Sequence, residues 1–156
     1  MEGIFTGKIT NWKEVGGADM AISLYGRENS SGTYEFFKEH VLQKKDFAAA
    51  TKTMPGTAAV IQGVAQDKNA IGYGGIAYAE GVKAIKVSKT DGGAAIAPNE
   101  ETVLNGTYPI SRYLFNYLAP AKDSGAVADY ITWCLSDEGQ AVVKDVGYFP
   151  LPKNMR

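Results

Sequence analysis

Apolar and small or polar residues alternate over Met20-Ala21-Ile22-Ser23-Leu24-Tyr25-Gly26, the period-two signature of a strand. The stretch that follows, Arg27-Glu28-Asn29-Ser30-Ser31-Gly32-Thr33, carries no apolar side chain. Beyond it Tyr34, Phe37 and Val41 recur at helical spacing, as do Phe37, His40, Val41 and Lys44. This unit therefore reads as strand, polar turn and helix. Pro55-Gly56 breaks the chain before a second helix over 56–68, whose apolar positions are Val60, Ile61, Val64 and Ala65. Ala70-Ile71-Gly72-Tyr73 reads as a short strand ahead of Gly74-Gly75. Strict alternation from Val82 to Val87 predicts a strand with one exposed face. Residues 88–107 are polar and rich in Gly, Asn and Thr, and predict loop. Tyr108 to Leu118 reads as a long strand with Pro109 at its start or on an edge. Two helices are predicted over 124–135 and 136–146, the second capped by Ser136 with Asp137 and Glu138 in its first turn. Strands alternating with helices give an α/β class.

Composition narrows the function. The 156 residues are 45% hydrophobic and 21% charged, which fits one globular domain with a real core. Sixteen basic against seventeen acidic residues leave a net charge of −1, so no general attraction for nucleic acid or an anionic membrane is expected. Any bound anion must be held by local groups. The single cysteine, Cys134, excludes an intramolecular disulfide and multi-cysteine metal sites, and the single histidine, His40, excludes the common multi-histidine zinc sites. No metal or cofactor is predicted. No apolar run approaches the roughly 18 residues that span a bilayer. Met1-Glu2-Gly3 has neither the basic nor the apolar region of a signal peptide, so the expectation is a chain that is cytoplasmic as it stands or part of something longer.

The turn at 26–33 carries the chemistry. The first N–H groups of a helix have no partner inside it, and with the positive end of the helix dipole they attract an anion. Gly32 lets the backbone approach closely. Ser31 and Thr33 hydroxyls can donate to the same oxyanion, and Arg27 offers a permanently charged fork. The plainer alternative makes Ser31 or Thr33 an ordinary N-cap and Arg27 a solvated charge. Neither a Walker loop nor a dinucleotide fingerprint is present. Gly56-Thr57 opens the second helix and could lend N–H groups to the same place.

Several stretches, in order, resemble the substrate-binding proteins of phosphate ABC transporters (PstS-like, type II periplasmic binding proteins). They are Ile4-Phe5-Thr6-Gly7-Lys8-Ile9-Thr10-Asn11-Trp12, the Arg27–Thr33 turn, Ala70–Tyr73, Tyr108-Pro109-Ile110-Ser111-Arg112, and Ser136-Asp137-Glu138-Gly139-Gln140 with Gly147-Tyr148-Phe149-Pro150-Leu151-Pro152. The resemblance implies one lobe of that fold, a mixed central sheet flanked by helices. The whole chain, 1–156, would be a single domain. Its second-lobe core would run to about 107, and 108–156 would supply a return strand and C-terminal helices that pack on a missing or partner lobe. It implies phosphate ligands at Arg27, Asn29, Ser31, Gly32 and Thr33, with Ser30, Gly56 and Thr57 as secondary candidates. Asn29 stands where many members carry Asp. An amide can donate as well as accept, so sulfate or a similar oxyanion stays open beside phosphate. The implied setting is extracytoplasmic, periplasmic or on a cell-surface lipoprotein, with an ABC permease as partner. The family has a first lobe ahead of the Ile4–Trp12 stretch, so half of the expected ligands are absent here. Each missing charge-assisted hydrogen bond is worth about 1.5–3 kcal/mol, and weak phosphate affinity is expected.

No catalytic residue is predicted. His40 lies about two turns into its helix, too far from Ser31 to act as its base, and no nucleophile elbow is present. Cys134, beside Trp133 on an amphipathic helix, reads as a structural thiol. The competing reading is a truncated interaction domain that forms homodimers and binds anions weakly or not at all.

Overall fold

The computed structural model describes residues 1–119 and 124–156. The chain forms two compact units, Met1–Lys83 and Ala84–Arg156.

The first unit is α/β. It opens with α1 (Glu2–Phe5) and a 3-10 turn (Trp12–Val15), followed by β1 (Ser23–Arg27), α2 (Gly32–His40), β2 (Lys52–Met54), α3 (Thr57–Gln66) and β3 (Ala70–Gly72), then a second 3-10 turn at Ile76–Tyr78. The strands form one parallel sheet in the order β2-β1-β3, with Tyr25 opposite Lys52 on one side and Gly72 on the other. The central strand β1 is the most buried, as a strand paired on both edges must be. α3 lies close on the sheet. Val60 is fully buried, and Gly63 leaves room for the Tyr25 ring: a Cβ there would sit 2.3 Å from Tyr25 Cε1. On the other side Ile4, Phe5, Leu24, Phe37, Leu42 and Tyr73 form the core. Phe37 stacks on Tyr73 at 4.2 Å, and Phe5 meets both rings edge-on. The opening Ile4–Trp12 stretch is therefore part of the core. The Trp12 indole N–H also donates to the Asn69 carbonyl at 2.9 Å.

The second unit holds α4 (Glu100–Leu104), α5 (Ala126–Leu135), α6 (Asp137–Asp145) and a 3-10 turn at Lys153–Met155. Ser136 caps α6, accepting from the Gly139 N–H. Gln140 is buried and bridges the chain, donating to the Cys134 carbonyl at 2.8 Å and accepting from the Leu151 N–H at 2.6 Å. Among the described residues no helix is long and apolar enough to cross a membrane.

Several expected elements differ. The named sheet is wholly parallel where a mixed one was expected, and the strands expected at 82–87 and 108–118 are not among the named strands of the described residues. From Val82 to Val87 the alternating pattern finds a partner only at Val87, which bridges antiparallel to Ile96. Tyr108–Leu118 is irregular, and residues 111–119 are all exposed. A strand is stable only when its backbone groups find a neighbour along its length, and among the described residues the single bridge at Val87 is the only such pairing in either segment. Conversely, β2 lacks any apolar periodicity. α4 sits in the predicted loop, held by a capping box between Asn99 and Thr102.

Candidate functional site

The parallel connections bring the C-terminal ends of β1 and β2 and the starts of α2 and α3 to one edge of the sheet. This is the rim at which open α/β sheets bind ligands. Arg27 ends β1 there. Its backbone N–H donates to the Tyr73 hydroxyl at 3.1 Å, and its Nη1 donates to Thr57 Oγ1 at 2.7 Å. Its Nε is shut off from solvent and has no hydrogen-bond partner among the described residues. Arg27 is half-buried, yet it forms no ion pair among the described residues. Gly26, just before it, permits the crowding: a Cβ there would lie 2.9 Å from Thr51 Cγ2 and 3.4 Å from the Tyr73 hydroxyl. Burial of Tyr73 raises its phenol above the ordinary value, so it stays neutral and keeps a proton to donate.

Arg27 opens onto a solvent-accessible cavity of about 420 Å³ that Asn29, Tyr34, Thr51, Thr53 and Tyr73 also line. Among the described residues no carboxylate lines it. Thr51 Oγ1 is a second buried polar atom without a partner. Two unpaired polar groups in one wall are costly unless something bonds to them. A half-buried guanidinium facing hydroxyls and an amide suits a small oxyanion.

The expected site residues divide. Arg27 and Asn29 line the cavity. Ser31 is buried and caps α2, its oxygen accepting from the Thr33 N–H at 3.2 Å, so the plain capping role is real. Its hydroxyl proton is not consumed by that bond. The Gly32 N–H makes no bond among the described residues. Ser30, Ser31, Gly32 and Thr33 lie at the start of α2 and outside the cavity lining, as does Gly56. Thr57 is also outside it but touches Arg27 through its side chain rather than its N–H. Thr51, Thr53 and Tyr73 escaped the sequence reading. The first two lie around a strand without apolar rhythm, and Tyr73 reads as a strand apolar. Only the Gly26-Arg27 junction, a glycine beside a charge at a strand end, hinted at crowding there. His40 is remote, stacked on Phe36 at 4.3 Å near the end of α2. Among the described residues no group of His, Cys, Asp and Glu could hold a metal.

A family model described as PBP superfamily domain matches residues 1–138. The chain belongs to the PBP superfamily. Within it, this PBP chain is 41% identical over 152 residues to the phosphate-binding protein PstS of Pseudomonas aeruginosa, covering 92% of this chain and 47% of that one. The corresponding protein of Staphylococcus epidermidis is 35% identical, with 98% and 48% covered. Among solved structures, an ABC-type phosphate transport receptor from Vibrio cholerae superposes with a TM-score of 0.73 at 27% identity, covering 97% of this chain and 61% of that one. The PBP chain thus spans about half the length of the curated relatives it matches.

Proposed function

We propose that this chain binds inorganic phosphate non-covalently, as part of the substrate-binding component of a phosphate ABC transporter. The observation that carries the reading is Arg27: a half-buried guanidinium that lines the cavity, anchored to Thr57 and with no carboxylate partner among the described residues. Uncompensated buried charge is expensive, and an incoming oxyanion would remove the cost. The relatives' names supply the anion. The role is transport without chemistry on the ligand, in an extracytoplasmic setting with an ABC permease as partner. Arg27, Asn29 and the start of α2 (Ser31, Gly32, Thr33) would face the anion, with Ser30 and Gly56 nearby. Sulfate is a second ligand of the same site, because the lining has no acceptor-only group to reject a fully ionised anion.

A second reading is favoured by one observation. Leu114, Phe115 and Tyr117 are 69%, 67% and 89% exposed, an apolar run of the kind that joins chains. In it the chain is an interaction domain that dimerises and holds anions weakly.

One experiment separates the two. Phosphate and sulfate are titrated calorimetrically into the wild-type chain and into Arg27→Ala, with sedimentation velocity over a range of protein concentrations. The phosphate reading expects binding in about the millimolar range, corresponding to about 4 kcal/mol, lost in Arg27→Ala. Concentration-dependent sedimentation with identical titrations for both proteins overturns it in favour of the second.

A further inference from the structure

The Arg27 side chain holds its direction through one contact. Its Nη1 donates to Thr57 Oγ1 at 2.7 Å, and this is the guanidinium's one hydrogen bond among the described residues. A guanidinium is rigid and planar, so anchoring one Nη narrows the orientations open to its other N–H groups. Thr57 is the first residue of α3 and belongs to a helix packed on the sheet, so it is a rigid anchor. It is itself confined. Gly74, beyond β3, lies against it: a Cβ at Gly74 would sit 2.4 Å from Thr57 Cγ2, but 3.7 Å from its Cβ and 4.0 Å from its Oγ1. The methyl of Thr57 therefore fills the space that a side chain at 74 would need, and its hydroxyl is turned to Arg27.

We propose that Thr57 is the positioning residue for the anion-binding arginine, and that Gly74 exists at its position to admit the Thr57 methyl. This rests on the oxyanion reading of the cavity. Thr57 acts through Arg27: it holds the guanidinium at the cavity wall before the ligand arrives, leaving the N–H groups that face the cavity for the ligand, which lowers the ordering cost of binding. The anion then meets a fixed donor in place of a long side chain sampling its rotamers.

The test uses the full chain labelled with ¹⁵N, titrated with inorganic phosphate by NMR, together with the Arg27 side-chain signals of the unliganded protein. Thr57→Val keeps the shape and removes the acceptor. It should weaken phosphate about tenfold, the effect of one hydrogen bond from a charged group. It should also merge the separate Arg27 Nη signals by freeing rotation about the guanidinium. Thr57→Ser keeps the hydroxyl and should bind within about threefold of wild type. Gly74→Ala should weaken phosphate by pushing Thr57 aside. The double variant Gly74→Ala/Thr57→Ser, which lacks the clashing methyl, should restore it, a rescue that general destabilisation would not produce. Wild-type affinity in Thr57→Val, resolved Arg27 signals in that variant, or failure of the double variant to recover overturns the proposal. If the wild type binds no phosphate while the Arg27 signals respond as stated, the phosphate reading falls and the positioning role stands.

Discussion

At Arg27 two requirements meet, permanent charge and fixed geometry, and a substitution can separate them. Arg27→Lys keeps the charge but replaces the planar fork with a single ammonium on a flexible stem. An ammonium cannot keep the Thr57 contact and present a second donor in a defined plane to the cavity. The expected outcome is phosphate affinity at least about tenfold below wild type, yet above that of Arg27→Ala, measured by calorimetric titration at matched ionic strength. Equal affinity for Arg27→Lys and wild type would show that charge alone binds the anion. At this scale the sequence was partly legible. A charged fork, a glycine and hydroxyls stand together in the Arg27–Thr33 turn, so the expectation of an anion site could be formed locally, and of that turn Arg27 and Asn29 line the cavity. Thr51 and Tyr73 reach the cavity wall by folding, from positions 24 and 46 residues further along than Arg27 (51 − 27 and 73 − 27). No local pattern announces such partners. Ser31 shows why local reading is ambiguous: one side chain can cap its own helix and still carry a proton toward a ligand.

At the scale of elements, the α3–sheet contact depends on Gly63. Tyr25 fills the place of its missing side chain, and Lys52 holds that ring, with Nζ 4.6 Å from the ring centroid and 3.0 Å from the hydroxyl. Gly63→Ala gains about 1 kcal/mol of helix propensity. It also forces a methyl into a ring that cannot easily retreat, at a cost of about 1–3 kcal/mol. The clash wins where the ring stays put. Denaturant unfolding should show a net loss of up to about 2 kcal/mol, whereas a gain would mean that the ring moves. Helices were the more legible elements, because their hydrogen bonds close within the segment. α2, α3, α5 and α6 were all visible from periodicity, capping or breakers. Strands depend on neighbours elsewhere in the chain. Val82–Val87 and Tyr108–Leu118 have the right alternation, yet among the described residues they pair with another strand segment only through the Val87–Ile96 bridge, while Lys52–Met54 has no pattern and pairs because β1 lies beside it.

For the whole molecule, the core and the candidate site fall in one unit. Ile4, Phe5, Leu24, Phe37, Leu42, Val60 and Tyr73 are buried and lie within Met1–Lys83, and every residue of the cavity wall belongs to the same unit. Residues 1–83 expressed alone should therefore keep a cooperative melt and a phosphate response matching that of the whole chain. Circular dichroism and calorimetry would check this. Loss of the phosphate response with the fold intact would place required ligands in residues 84–156. The shared direction of the three strands has a practical consequence as well. Both helices begin on the rim that Arg27 occupies, so the positive ends of two dipoles add to a fixed cation there. Such a rim attracts whatever negative species the buffer contains. Chloride or acetate would compete there with the phosphate proposed for the site, and the apparent affinity would drift with the choice of electrolyte. Constants measured in different buffers become comparable only once the counter-anion is held the same.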